Sequence, residues 1–243
     1  MKGYSFDAEK HHHLYDGKRM YGCTSVLQHW GDKSGLINWA ANCAVDYIES
    51  VANEMSENAF QVLQSHLDEA RTAHTKKRDK AGDKGTEVHA ELEIMMNNWI
   101  EGELVLPSDY SDVVTKVRDW MLINDITPLK SEMPVYSIEH FYAGIADGVI
   151  EKDGKKYILD FKTSGYVYTT AFFQMGAYAR AIREMKAGAE IAGCVVVHIP
   201  RGKSFNPEKN TYWFYDIEVL EQGFLNILST YKTDQALQKL IKW

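Results

Sequence analysis

The segment Lys152-Asp153-Gly154-Lys155 constrains the fold more than any other part of this sequence, because it lies between two apolar runs. Asp-Gly is typical of a two-residue type I′ turn, since Asp tolerates the left-handed backbone of the first position and Gly suits the second. The flanking runs cover residues 141–151 and 156–162. Together they predict a β-hairpin centred on this turn.

A hairpin centred on Asp153-Gly154 determines which residues lie opposite each other, and it brings Asp147 opposite Asp160. Side chains alternate between the two faces of a hairpin. The core face is predicted to carry the apolar or small pairs, which are Ala146–Phe161, Gly148–Leu159 and Ile150–Tyr157. On the other face the two carboxylates would lie about 5 Å apart at Cβ, which is destabilising without compensation. A bulge near the turn would shift the register and change this pairing.

Three kinds of compensation are open at Asp147 and Asp160. A divalent cation can bind between the carboxylates, or one of them can hold a proton. Lys162 lies two residues after Asp160 on the same face, so a simple salt bridge is the third possibility. If a metal binds, hard oxygen ligands favour Mg²⁺ or Mn²⁺ over zinc.

Hydrophobic periodicity predicts helices before about residue 125 and a mixed pattern after Pro128. Four helices are predicted in the first part: one capped by Ser34, one through Phe60 to Leu67, one from near Asp83 and one after Pro107-Ser108. The second part has the predicted order β-β-β-α-β-β-α, with elements at 129–137, 141–151, 156–162, 170–186, 192–199, 212–217 and 219–239. We therefore expect an α/β fold of the mixed α+β kind, in which helices cover a mixed sheet.

Composition excludes several classes of protein. Of the 243 residues 45% are hydrophobic, which suffices for a core without disulfides or a structural metal. The three cysteines form no C-x-x-C pair, so a four-cysteine zinc or iron–sulfur site is excluded and a reducing compartment is favoured. The net charge of −7 argues against passive coating of nucleic acid. No apolar run is long enough for a membrane-spanning helix, and we expect a soluble, cytoplasmic protein.

Five short motifs follow one another along the chain. They are G-x-x-x-H-x-x-x-E at 85–93, a strand with a glutamate at 129–132, G-x-x-D at 144–147, D-x-K at 160–162 and Q-x-x-x-Y at 174–178. In this order they resemble the RecB-like exonuclease branch of the PD-(D/E)XK nuclease superfamily, which includes the mitochondrial genome maintenance exonucleases and their phage relatives. Ala146 and Asp160 depart from the superfamily pattern, which has Pro and often Glu there, and the cysteine cluster of the iron–sulfur members is absent.

The resemblance implies a restriction-endonuclease-like core at 127–243, with an integral N-terminal helical region at 1–126 that carries the histidine motif. It implies a Mg²⁺ or Mn²⁺ site without an iron–sulfur cluster. The implied metal ligands are His89, Asp147, Asp160 and the backbone carbonyl of Phe161. Lys162 would orient the attacking water or stabilise developing charge, and Glu132 would lie near a second metal or hold Lys162.

The resemblance also implies contacts to DNA. Gln174 and Tyr178 share a helix face and would contact the DNA backbone or Lys162, whereas Thr163 and Ser164 would donate to phosphate. The implied activity is a metal-dependent DNA exonuclease for single strands or ends, which acts in replication, recombination or repair. A helicase or replication partner is possible, in a prokaryotic cell or a phage-infected host. The alternatives are a nuclease for flap or branched DNA, a non-catalytic nucleic-acid-binding subunit, and a globular protein in which Lys162 merely neutralises the acids.

Overall fold

A computed structural model describes residues 3–31, 34–52, 59–103, 111–185, 190–201 and 203–241. The strands are β1 (Tyr4–Asp7), β2 (His12–Tyr15), β3 (Lys18–Arg19), β4 (Tyr21–Gly22), β5 (Thr127–Ser137), β6 (Tyr142–Lys152), β7 (Lys155–Lys162), β8 (Ile191–His198) and β9 (Thr211–Phe214). The helices are α1 (Cys23–Leu27), α2 (Ser34–Ala52), α3 (Ala59–Ile100), α4 (Asp112–Ile123), α5 (Thr169–Glu184), α6 (Pro207–Asn210) and α7 (Ile217–Leu240). This is a mixed α/β fold, as expected, and the predicted order after Pro128 is confirmed with the short α6 added.

The hairpin formed by β6 and β7 has the predicted turn and register. Asp153 and Gly154 have φ values of +52° and +69°, as a type I′ turn requires. Lys152 pairs with Lys155 and Glu151 with Lys156, and the pairing continues to Gly148–Leu159. No bulge interrupts these pairs.

The strand β6 lies at the centre of a six-stranded sheet. Antiparallel β5 occupies one edge of β6 along almost its whole length. The other edge is shared, because β4 pairs in parallel with residues 142–143 and β7 pairs with residues 148–152. Residues 144–147 of β6 therefore lie between two partners on that edge. Beyond β7 the order continues with β8, parallel to β7, and then β9.

Helices cover both faces of this sheet. One apolar core lies between the sheet and α1, α5 and α7, whereas the other lies between the sheet, α4 and the C-terminal part of α3. The prediction of a single core face was therefore incomplete, because Val149 and Ile158 are buried on the first side while Leu159 and Phe161 are buried on the second.

Along β6 the alternation of side chains between the two faces of the sheet shifts by one residue at Asp147. Ala146 packs in the core of α5 and α7, so its predicted placement on the same face as Phe161 was wrong. A Cβ atom at Gly148 would meet the Met96 side chain of α3, on the opposite face. Ala146 and Gly148 would share a face in a regular strand, so the strand is irregular between them.

The N-terminal part of the chain differs from the prediction in two ways. The helices expected at 60–67 and from Asp83 are one continuous helix, α3, because Gly82 and Gly85 lower helix propensity without breaking the hydrogen-bond ladder as Pro would. The strands β1–β3 form a small antiparallel sheet that was not among the predicted elements. The helix α2 begins at Ser34 as predicted, and Pro107-Ser108 lie outside the described residues.

The chain divides into two compact units, one formed by residues 1–30 and 88–243 and the other by residues 31–87. This division does not follow the boundary at residue 126 that the resemblance implies. All the residues singled out as candidate site residues belong to the first unit. Within the described part of the chain, no helix combines the length and the apolar character that a membrane span needs.

Candidate functional site

The candidate site lies where β6 and β7 separate. Their last backbone pair is Gly148–Leu159, and the next residues along the two strands are Asp147 and Asp160. Instead of a ladder bond, the side chain of Asp147 makes the connection: its Oδ2 accepts a hydrogen bond from the backbone N–H of Phe161 at 2.8 Å. The predicted proximity of the two acids follows from this arrangement, although they do not form a regular cross-strand pair.

Asp160 and Lys162 form an ion pair on the face of the sheet covered by α5. The Nζ of Lys162 donates to Oδ1 of Asp160 at 2.9 Å and lies 2.6 Å from Oδ2. Asp160 is only 1% exposed, and its Oδ2 has no hydrogen-bond partner of its own. The salt bridge that the sequence left open is thus present, and it leaves one buried carboxylate oxygen without a donor in hydrogen-bond geometry.

Burial dominates the electrostatics of the two acids. It raises the pKa of Asp147 above the ordinary value, against the Lys162 charge and the Phe161 N–H, which lower it. The pKa of Asp160 is raised by burial and by the Asp147 charge, again against Lys162. Burial alone lowers the pKa of Lys162, but the two carboxylates more than offset this, so its pKa is raised and the ammonium stays charged. The ammonium group of Lys162 therefore compensates the negative charge of both Asp147 and Asp160.

A chain of hydrogen bonds from α5 holds Lys162. Its Nζ donates to Oε1 of Gln174 at 3.1 Å, and Nε2 of Gln174 donates to the hydroxyl of Tyr178 at 2.6 Å. Tyr178 is 2% exposed and packs against Gly144, where a Cβ atom would come within 2.6 Å of its ring. Of the two roles implied by the resemblance for this pair, the geometry matches contact with Lys162.

His89 reaches the site from α3, on the other face of the sheet. Its Nδ1 lies 3.6 Å from Oδ2 of Asp147, and its ring meets that of Phe161 edge to face at a centroid distance of 6.4 Å. Burial lowers the pKa of His89, and the Lys162 charge adds to this while Asp160 opposes it. A neutral imidazole beside a carboxylate is the protonation state that metal ligation requires.

Glu132 lies on β5 at the position opposite Asp147, between the paired residues Ser131–Gly148 and Met133–Ala146. Its φ of +44° is unusual for a side chain of this size inside a strand. Burial, together with the negative charges of Asp147 and Glu93, raises the pKa of Glu132 to about 7. A third carboxylate therefore faces the position where β6 is irregular.

Thr163 and Ser164 begin the loop that follows β7. The carbonyl of Thr163 accepts from Nε of Arg201 at 2.8 Å, and the carbonyl of Ser164 is 2.8 Å from Nε2 of His198. The hydroxyl of Ser164 donates to the carbonyl of Tyr166 within the same loop. Neither Arg201 nor His198 was among the candidate site residues that the sequence indicated. The parallel pairing of β7 and β8, which brings their following loops together, was the signal that could have found both.

Among the described residues one group of three, Glu139, His140 and Glu184, brings its ligand atoms within 4.8 Å of one another and could hold a metal ion. Arg180 already donates to Glu139 at 2.7 Å and to Glu184 at 2.9 Å. The predicted ligands Asp147, Asp160 and His89 do not form so tight a group, and Asp160 is already ion-paired with Lys162. The backbone carbonyl of Phe161 was also predicted, but the contact that Phe161 makes to Asp147 uses its N–H.

The predicted ligands nevertheless fit a hard cation by their chemistry. The buried carboxylate of Asp160, the half-buried carboxylate of Asp147 and the imidazole of His89 come from two strands and a helix, and carboxylate oxygens are the ligands that hard cations prefer. When compared with models of known protein families and with curated protein sequences, the chain has no significant match.

Proposed function

We propose that this protein is a metal-dependent DNA exonuclease that hydrolyses phosphodiester bonds and prefers single-stranded DNA or DNA ends. The observation that carries the proposal is the meeting of Asp147 and Asp160 where β6 and β7 separate, with Lys162 directly beside them. The order of the five motifs and the mixed α/β fold agree with it.

Asp147 and Asp160 are the residues that would hold the ion, together with His89. A bound Mg²⁺ or Mn²⁺ would lower the pKa of a water molecule and neutralise charge on the phosphate. The raised pKa values of the two acids support this assignment, since a divalent cation would relieve the cost of burying both charges. Glu132, with its pKa raised to about 7, is placed to accept or return a proton near Asp147.

Lys162 has two roles in this proposal. In the metal-free state it neutralises Asp160. With a cation at the acids, its ammonium group would be free to bind the phosphate and stabilise charge that develops there. Gln174 keeps Lys162 at the site in both states, because its Oε1 accepts from Nζ independently of Asp160.

One observation favours a second candidate. The ion pair between Lys162 and Asp160 needs no metal, which is what a non-catalytic nucleic-acid-binding protein with this fold would also have. The neighbouring Asp147 argues for the enzyme, since a purely structural ion pair between Lys162 and Asp160 gains nothing from a second, partly buried acid beside it.

The test is cleavage of end-labelled single-stranded and double-stranded DNA with Mn²⁺, Mg²⁺ or EDTA. Cleavage that requires metal and is lost in Asp147→Asn and Lys162→Ala would support the proposal. A ladder of successively shorter products from one end would identify an exonuclease, and discrete fragments from flap or branched DNA would instead support the endonuclease.

The matched control is Asp153→Asn, which removes one negative charge from the same hairpin at its exposed turn. Asn tolerates the left-handed backbone there, so this variant should cleave like the wild type. If the folded wild-type protein cleaves none of these substrates with either metal, the enzyme proposal is wrong. DNA binding without cleavage would then favour the non-catalytic candidate.

A further inference from the structure

Two loops meet beside Lys162. The strands β7 and β8 are parallel, so the loop residues that follow them, 163–168 after β7 and 199–201 and 203–206 after β8, leave the sheet at the same edge. Ligands of parallel sheets commonly bind at the carboxyl ends of the strands, where such loops converge. Lys162 is the last residue of β7 and precedes the first loop directly.

Hydrogen bonds join the ends of β7 and β8 and the loops that follow them. The N–H of Ile199 donates to the carbonyl of Lys162 at 2.9 Å, which extends the strand pairing by one residue. Arg201 donates to the carbonyl of Thr163, and His198 contacts the carbonyl of Ser164, each at 2.8 Å. The end of β7 and its loop are therefore joined to the end of β8 and its loop at three successive backbone carbonyls, those of residues 162–164.

Tyr166 and Tyr168 project from this surface. They are 69% and 61% exposed, two residues apart in a loop that otherwise carries small side chains and Val167. The Nζ of Lys203, in the second loop, lies 5.9 Å from the ring centroid of Tyr166, which is a cation–π arrangement. Two aromatic rings that stay in contact with water forgo the favourable free energy of burial. A ligand that covers them is the simplest reason for their position beside the proposed active site.

The charge of the surface is positive. The two loops contain Arg201 and Lys203 and neither Asp nor Glu, although the whole chain has a net charge of −7. The helix α5 begins directly after Tyr168 and has no acidic residue in its first turn, so its dipole adds to the positive potential. Exposed rings with neighbouring cations are the combination that binds single-stranded nucleic acid, through stacking of bases and attraction of phosphates.

We propose that Tyr166 and Tyr168 form a stacking platform for unpaired bases of single-stranded DNA, with Lys203 and Arg201 attracting the adjoining phosphates. The platform rests on the proposed nuclease function and would position the strand whose phosphate reaches Lys162. Bases of a duplex have both faces covered by their neighbours, so the platform selects single strands or frayed ends.

The test is equilibrium binding of the full chain to a short fluorescein-labelled oligodeoxythymidylate, followed by fluorescence anisotropy in EDTA so that no cleavage occurs. Tyr166→Leu and Tyr168→Leu should each weaken binding roughly five-fold or more, and Tyr166→Phe should bind like the wild type because the ring is kept. Binding of an abasic strand of equal length should be weak in the wild type and insensitive to these substitutions.

Tyr215→Leu is the matched control. Tyr215 is 65% exposed but follows β9 at the other end of the sheet, near Tyr157, so its removal should leave binding unchanged. Equal affinities of wild type, Tyr166→Leu and Tyr168→Leu, in variants that melt at the wild-type temperature, would overturn the platform. The same result with intact metal-dependent cleavage by the wild type would leave the nuclease proposal standing. If both leucine variants bind DNA more weakly than the wild type but the wild type cleaves no DNA, the platform is supported and the nuclease proposal is wrong.

Discussion

The Nζ of Lys162 lies 2.9 Å from one carboxylate oxygen of Asp160 and 2.6 Å from the other, with only Phe161 between the two residues along β7. Residues two apart in a strand share a face, so this pair follows directly from the strand geometry. Its consequence is that a cation at Asp160 must compete with an ammonium group already bound there. Four predictions follow from this competition and from the packing around it.

Mn²⁺ should stabilise the wild-type protein against heat. At a free concentration about a hundred times its Kd, the melting temperature should rise by roughly 5–10 °C, because the ion binds only the folded state and relieves the two buried acids. Differential scanning fluorimetry with increasing Mn²⁺ measures the shift. Asp147→Asn should abolish most of it, whereas Glu139→Gln, which alters the other candidate metal group, should not. If Glu139→Gln abolished the shift in melting temperature and Asp147→Asn did not, the ion would bind at the other group and the proposed site would be wrong.

Glu132→Gln should increase the free energy of unfolding of the metal-free protein at high pH. The pKa of Glu132 in the folded state, about 7, lies above the ordinary value of 4.5. The protonated carboxyl group therefore contributes stability that is fully present below pH 4.5 and is lost as the pH rises through 7. After allowance for solvent screening, the gain should be about 1–2 kcal/mol larger at pH 8 than at pH 5. Urea denaturation in EDTA at both pH values measures it. The exposed Glu101→Gln should show no such difference, and equal gains at both pH values would contradict the assignment.

Gln174→Leu should lower kcat by roughly ten-fold and leave KM almost unchanged, because Gln174 acts through the position of Lys162 rather than by holding DNA. Gln174→Glu, which keeps an acceptor for Nζ, should recover part of the rate. Steady-state cleavage of single-stranded DNA measures both parameters, with Gln222→Leu, at an exposed position of α7, as the control. A rise in KM with kcat intact would show that Gln174 contacts the substrate instead.

Gly176→Ala should destabilise the protein by about 1–3 kcal/mol, since a Cβ atom there would collide with the α7 backbone at Leu220 and Glu221. Thermal melting without metal measures the loss. Gly82→Ala is the matched helix substitution with open space around the added methyl group, and it should stabilise α3 by about 0.5–1 kcal/mol. Similar effects of the two substitutions would mean that α5 and α7 are not packed as closely as described.

Much of the fold could be predicted because the determining signals are local. The Asp153-Gly154 turn and the apolar runs beside it set the hairpin register as far as Gly148–Leu159. The helix that carries Gln174 and Tyr178 and the strand β8 were also predicted within two residues, because periodicity and breakers lie within each segment. The predicted direct pairing of Asp147 with Asp160 was wrong, because β6 and β7 separate after Gly148–Leu159 and the side chain of Asp147 bonds the backbone N–H of Phe161 instead.

What the sequence alone determined, then, is which residues are brought near one another along and across neighbouring strands. Only the tertiary structure decided how they are used: the irregular backbone at Asp147 and Glu132, the arrival of His89 from a helix on the opposite face, and the joining of Arg201 to the loop after Lys162. These features depend on packing between segments far apart in the chain, where burial on both faces of the sheet outweighs local alternation. Turn chemistry and side-chain period act over a few residues, and they carry no information about that packing.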